Sequence, residues 1–266
     1  MQNSYQVPEG FDQVQSGVAY SAVQEIEYAS TTTGTIRKAS LILPLHYDET
    51  KKYPVLYLLH GIGGDHKEWL CGEPATILGN LQAAGGAKDM IVVIPNVRAR
   101  AEDAGNPADI FTLKHYEAFN NFINDLRDDL MPYIKAHYSV AEGRENTAIA
   151  GLSMGGRTSL YIGFNMPETF GFIGAFCPAP GVFAYTNYGV SENGLFTKEA
   201  FTLPKELETF VMIVEGESDD IVKHWPREYH EALVQNNVEH IYYVTEGGHD
   251  FGVWKHGLYH FLKNIF

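Results

Sequence analysis

The chain has 266 residues, 45% hydrophobic and 20% charged, the balance of a globular protein with a substantial core. A net charge of −14 disfavours nucleic acid and anionic membrane surfaces as partners, since both select clustered Lys and Arg. With no internal repeat, low-complexity tract or Pro/Ser-rich linker, a single domain over residues 1–266 is expected, of unassigned oligomeric state.

The first thirty residues have no basic start and no apolar block, so no secretory signal is visible. Two expectations stay open, a cytoplasmic protein or a module cut from a longer secreted chain. Two β-rich runs, 23–29 and 36–43, flank "STTTGT" and read as an antiparallel pair. Short apolar runs then follow at 55–59, 90–95, 147–150, 171–176, 210–214 and 240–244. Nearly continuous β-branched and aromatic residues suit strands covered on both faces. Helical patterns fall at 75–84, 116–137, 154–165, 226–235 and 255–266. Strands alternating with helices predict an α/β fold with a mostly parallel sheet, whose ligand sites lie beyond the carboxyl ends of its strands.

That rule directs attention to "AIAGLSMGG". Ser153 follows the run 147–150 and precedes a predicted helix, with Gly151 and Gly155 on either side. This is the strand–turn–helix setting of a nucleophile elbow, where glycines remove side chains that would collide. Met154 then opens a helix whose free N–H groups favour developing negative charge. The alternative is a Gly-rich connection without chemistry.

A serine nucleophile needs a base and an acid to orient it. His249, in "TEGGHDFGVW", lies on a Gly-rich loop after the last strand. Asp219 follows "FVMIVEGES" three residues past Gly216, with Asp220 as the alternative acid. The order Ser153, Asp219, His249 is that of α/β-hydrolases. The loop "HGIGG" after the run 55–59 offers bare backbone for an oxyanion hole, with the N–H groups of Ile62 and Met154 as donors. None of these parts calls for a metal or organic cofactor. His256 and His260 lie four apart on the last helix without a third ligand, and read as a helix face. Cys71 and Cys177 lack metal or disulfide spacing and read as ordinary thiols.

"KKYPVLYLLHGIGG", "AIAGLSMGG" and "GGHDFGVWKHGLYHFL" resemble the feruloyl (cinnamoyl) esterases of carbohydrate esterase family one, within the esterase D group. The resemblance implies an α/β-hydrolase fold with an N-terminal antiparallel pair and a serine esterase. It also implies release of hydroxycinnamates from arabinoxylan through an acyl-enzyme, on a small ester or a feruloylated oligosaccharide. The triad and oxyanion donors it implies are those already named. Where such families carry G-T-N-D, this chain has Gly216-Glu217-Ser218-Asp219, and the loop 96–115 is unusually charged. The long connection 177–204 supplies Phe183, Tyr185, Tyr188 and Phe196 for an apolar slot, with Trp69, Phe251 and Trp254 as further candidates. Packing of the loop onto the core is the competing role for each. An acetyl esterase, an S-formylglutathione hydrolase-like thioesterase, an acyltransferase and a non-catalytic carbohydrate-binding or scaffold domain are the other readings.

Overall fold

The computed structural model describes residues 5–187 and 189–266. Its centre is an eight-stranded sheet built from β1 (Val23–Ser30), β2 (Thr35–Ile42), β3 (Val55–Leu59), β4 (Ile91–Pro95), β5 (Thr147–Leu152), β6 (Phe172–Phe176), β9 (Phe210–Gly216) and β10 (Ile241–Thr245). Between β6 and β9 stand the strands of a separate hairpin, β7 (Phe183–Asn187) and β8 (Val190–Gly194). The sheet order is β1-β2-β4-β3-β5-β6-β9-β10, antiparallel at β1–β2 and β2–β4 and parallel elsewhere. This is the expected α/β-hydrolase architecture, antiparallel pair included.

Burial follows the sequence patterns. β3, β4 and β5 are buried along their whole length, as strands covered on both faces must be. β1 alternates instead, with Ile26, Tyr28 and Ser30 turned inward. The covering helices are α1 (Pro74–Ala83), α2 (Leu113–Asn120), α3 (Phe122–Asp125), α4 (Met131–His137), α5 (Met154–Asn165), α6 (Trp225–Gln235) and α7 (Phe251–Asn264). Among the described residues no helix is long and apolar enough to cross a membrane.

Three expectations are corrected. The single helix at 116–137 is α2, α3 and α4, with a π turn over Leu126–Leu130. Pro132 has no N–H to give the carbonyl four residues back, so the α ladder cannot run through it. The interrupted segment presents Asp125 and Asp129 to the β1–β2 turn. Asp125 accepts from Tyr28 Oη at 2.6 Å and Ser30 Oγ at 2.5 Å, and pairs with Arg37 at 3.3 Å. The last helix starts at Phe251, four residues before the expected 255, because Asp250 caps it by accepting from the N–H groups of Gly252 and Val253. Finally, part of the connection 177–204 folds as the β7–β8 hairpin.

Candidate active site

β5 ends at Leu152 and α5 begins at Met154, so one residue makes the whole turn. Ser153 makes it at φ 51°, ψ −118°, a conformation L-residues adopt only when surroundings enforce it. Its N–H donates to the Phe176 carbonyl at 2.9 Å, and its own carbonyl accepts from Arg157 and Ala179, each at 3.0 Å. Gly151 is obligatory for the same reason, since a Cβ there would stand 2.5 Å from the Gly155 carbonyl carbon.

The two other expected members arrive on loops beyond β9 and β10. Those loops are stitched together, with Glu217 N–H donating to Thr245 O at 2.8 Å and Ser218 N–H to Gly247 O at 3.0 Å. His249 Nδ1 lies 2.8 Å from Asp219 Oδ2, and His249 Nε2 lies 2.8 Å from Ser153 Oγ. Asp219 Oδ1 accepts from the N–H groups of Ile221 and Val222, both at 3.0 Å. Burial opposes the Asp219 charge, but His249 and these two N–H groups outweigh it and hold the carboxyl below its ordinary value. Asp220, the alternative acid, is exposed. Cys177 brings its sulfur within 4.8 Å of Asp219 and His249. Burial first, then the Asp219 charge, push its thiol well above the ordinary value, which makes it a neutral neighbour rather than a thiolate.

The loop 60–64 crosses the same edge of the sheet, and side chains and main chain together hold its carbonyls from Gly61 to Gly64. His60 is fully buried. Its Nδ1–H donates to Gly61 O at 2.7 Å while Nε2 accepts from Val97 N–H at 2.7 Å. Desolvation, aided by Arg98, pushes its pKa down to about 3, so the ring is neutral. His115 Nε2–H donates to Ile62 O at 2.7 Å, Asn106 N–H to Gly63 O at 2.8 Å, and Arg98 to Gly64 O. The N–H groups of Ile62 and Met154 have no acceptor among the described residues. Free donors at this edge are what an oxyanion hole requires. Sequence reasoning missed Arg98 and His115, which it read only as part of a charged loop. The available signal was position: the segment follows β4 at the carboxyl edge.

The aromatic candidates separate by placement. Trp69 does not line a slot. It is fully buried, its indole N–H donates to Leu59 O at 2.8 Å, and its ring packs edge-on to Phe176 and Phe251. Phe183 is likewise buried, against Phe201 and Tyr229, and fixes the hairpin to the core. Tyr185 is buried between Tyr116 and Trp225. Phe196 packs on Tyr161 and Phe164, and Tyr188 lies outside the described residues. Trp254 stands edge-on to His249 at 5.1 Å between centroids, and the half-buried Phe251 packs on Trp254 at 4.9 Å. His256 meets the Tyr243 hydroxyl at 3.1 Å and His260 packs edge-on to Tyr5, so this pair serves helix packing.

A serine in an elbow, a histidine bonded to it, a buried carboxylate behind the histidine and two free N–H groups are the parts of an acyl-transfer site. The family model for esterases matches residues 30–265. The chain belongs to the Esterase family. Carboxylic-ester hydrolysis comes with it as the reaction class. This esterase is 39% identical to a CE1 ferulic acid esterase of Anaeromyces mucronatus, solved in complex with ferulic acid. The two superpose with a TM-score of 0.92, over 100% of this chain and 98% of that one. It is 28% identical over 257 residues to an endo-1,4-beta-xylanase/feruloyl esterase of Xylanibacter ruminicola, covering 94% of this chain but 32% of that protein. The esterase thus spans about a third of that relative's length. An acetyl esterase of Caldicellulosiruptor saccharolyticus is 24% identical, over 77% of this chain and 80% of its own.

Proposed function

We propose that this esterase hydrolyses hydroxycinnamate esters, ferulate foremost, of plant cell-wall arabinoxylan, with Ser153 as nucleophile, His249 as general base and acid, and Asp219 as the orienting carboxylate. The observation that carries the substrate class is the 39% identity, end to end, with an enzyme seen holding ferulic acid. His249 Nε2 takes the Ser153 proton as Oγ attacks the ester carbonyl. The carbonyl oxygen, now negative, rests on the N–H groups of Ile62 and Met154. His249 returns the proton to the departing alcohol, leaving an acyl-enzyme. Water, activated by the same imidazole, then attacks the acyl carbonyl and releases the free acid and Ser153. Asp219 holds the Nδ1–H tautomer throughout and stabilises the transient imidazolium. Phe251, with Trp254 behind it, supplies an apolar face beside the base for the phenolic ring.

The test is hydrolysis of methyl ferulate, methyl p-coumarate and 4-nitrophenyl acetate by the wild type and Ser153→Ala. Preference for the cinnamoyl esters, lost in the variant, supports both nucleophile and substrate class. Turnover of the acetate alone favours the acetyl esterase reading, in line with the Caldicellulosiruptor relative. Unchanged turnover in the variant overturns Ser153 as nucleophile.

A further inference from the structure

One charged group beside the site has no part in the triad. Glu68 opens a short 3-10 turn, Glu68–Gly72, separated from the loop 60–64 by three residues. Its Oε2 accepts from the Gly61 N–H at 2.6 Å. The glycines of the loop make room for it. A Cβ at Gly64 would stand 2.4 Å from Glu68 Oε2. A Cβ at Gly61 would stand 3.3 Å from the same oxygen and 3.5 Å from the Ser153 Cβ. Gly61 therefore lies between the Glu68 carboxylate and the nucleophile.

The consequence follows from peptide geometry. In a trans peptide the C=O and the next N–H point in opposite directions. The Gly61–Ile62 peptide is fixed through its carbonyl, which accepts from His60 Nδ1–H. Its other end, the Ile62 N–H, is thereby aimed. The preceding peptide, His60–Gly61, is fixed through its N–H, which among the described residues donates to Glu68. A glycine wanders widely in φ and ψ unless the planes on both sides are held. Glu68 holds one plane, and His60 together with the Gly64 N–H at 3.2 Å holds the other. The turn that carries Glu68 is itself clamped from the base side: Trp69 and Gly72 pack against Phe251, two residues after His249.

We propose that Glu68 is a positioning residue that fixes the dihedrals of Gly61 and so aims the Ile62 N–H at the carbonyl oxygen under attack. This rests on Ser153 and Ile62 having the roles assigned above. The test uses the full chain with Glu68→Gln, whose amide oxygen still accepts from Gly61 N–H, and Glu68→Ala, which has no acceptor. Methyl ferulate kinetics are read beside inhibition by phenylboronic acid, whose tetrahedral serine adduct places an oxygen in the oxyanion hole.

Glu68→Ala should lose roughly 10- to 100-fold in kcat, with KM within about twofold and boronic acid affinity falling in parallel. Glu68→Gln should recover most of both. If Glu68→Ala does not fold, Glu68→Met, which fills the space without an acceptor, takes its place. Wild-type kcat in Glu68→Ala overturns the proposal, as does a rise in KM at constant kcat, or Gln and Ala falling equally. Loss of turnover in Ser153→Ala alongside any of these leaves the catalytic reading standing and removes only the role of Glu68.

Discussion

A β-carbon on residue 155 would stand 2.4 Å from the Leu59 carbonyl oxygen, so the backbone of α5 touches the end of β3 at Gly155. The obstacle is main chain on both sides, and no rotamer change relieves it. Gly155→Ala should therefore destabilise the fold by about 1–3 kcal/mol, the usual cost of overpacking. Urea midpoints would show it. Labelling of Ser153 by a fluorophosphonate should slow as well, because the start of α5 carries the Met154 N–H.

Asp219→Asn should keep the fold and lose roughly 10⁴-fold in kcat, since the amide favours the wrong imidazole tautomer. The comparison is single-turnover acylation by 4-nitrophenyl acetate in the two proteins, with unfolding midpoints as the control. A loss below tenfold would remove Asp219 as the orienting acid.

Asp129 makes stability pH-dependent. Burial opposes its charge, but the Thr31 and Thr32 side chains and N–H groups outweigh it and lower its pKa to about 2. A carboxyl depressed in the folded state stabilises above its unfolded value, and that contribution is lost as pH falls through the folded value. Asp129→Asn should thus lose less stability than the wild type between about pH 4 and pH 2. Equal slopes for the two proteins would contradict this.

Trp69→Ala should cost about 3–5 kcal/mol of stability, the range for deleting a buried aromatic ring. Trp69→Phe should cost less and leave KM for methyl ferulate unchanged, because the indole meets Leu59 O, Phe176 and Phe251. A several-fold rise in KM for the Phe variant would restore Trp69 to the substrate.

His115→Ala should lower kcat while leaving KM close to wild type, because its imidazole contributes the bond to Ile62 O. Steady-state kinetics on methyl ferulate separate the two parameters. A change confined to KM would place His115 against the substrate instead.

The sheet strands were legible because apolar runs of four to six residues leave few alternatives. Ser153, Asp219 and His249 were legible because each follows a strand at the edge where ligands bind, and their order in the chain matches one fold. Side-chain-to-backbone ties left no such pattern. Glu68, Arg98 and His115 bond carbonyls and N–H groups of the loop 60–64, and such contacts depend on where distant loops fall, not on local periodicity. Trp69 and Phe183 went to the core for a related reason. A sequence shows that Trp69 and Phe183 are large and apolar, which describes a core residue and a substrate contact equally well. The π turn before α4 could be read from Pro132, whose missing N–H outranks the helical spacing around it.

β6 and β9 are immediate neighbours in the sheet, yet the chain leaves at Phe176 and returns only at Phe210. Past Ala179, whose N–H donates to the Ser153 carbonyl, what lies between is a detour: it can lengthen, shorten or change sequence without shifting any strand of the sheet out of register. The hairpin β7–β8 hangs from this detour, moored through buried Phe183. Variation beyond Ala179 can therefore reshape this hairpin while the serine, the imidazole and the carboxylate stay where they are. Residues 183–209 are the unit of such change, because Cys177 and Ala179 before them touch Asp219, His249 and Ser153.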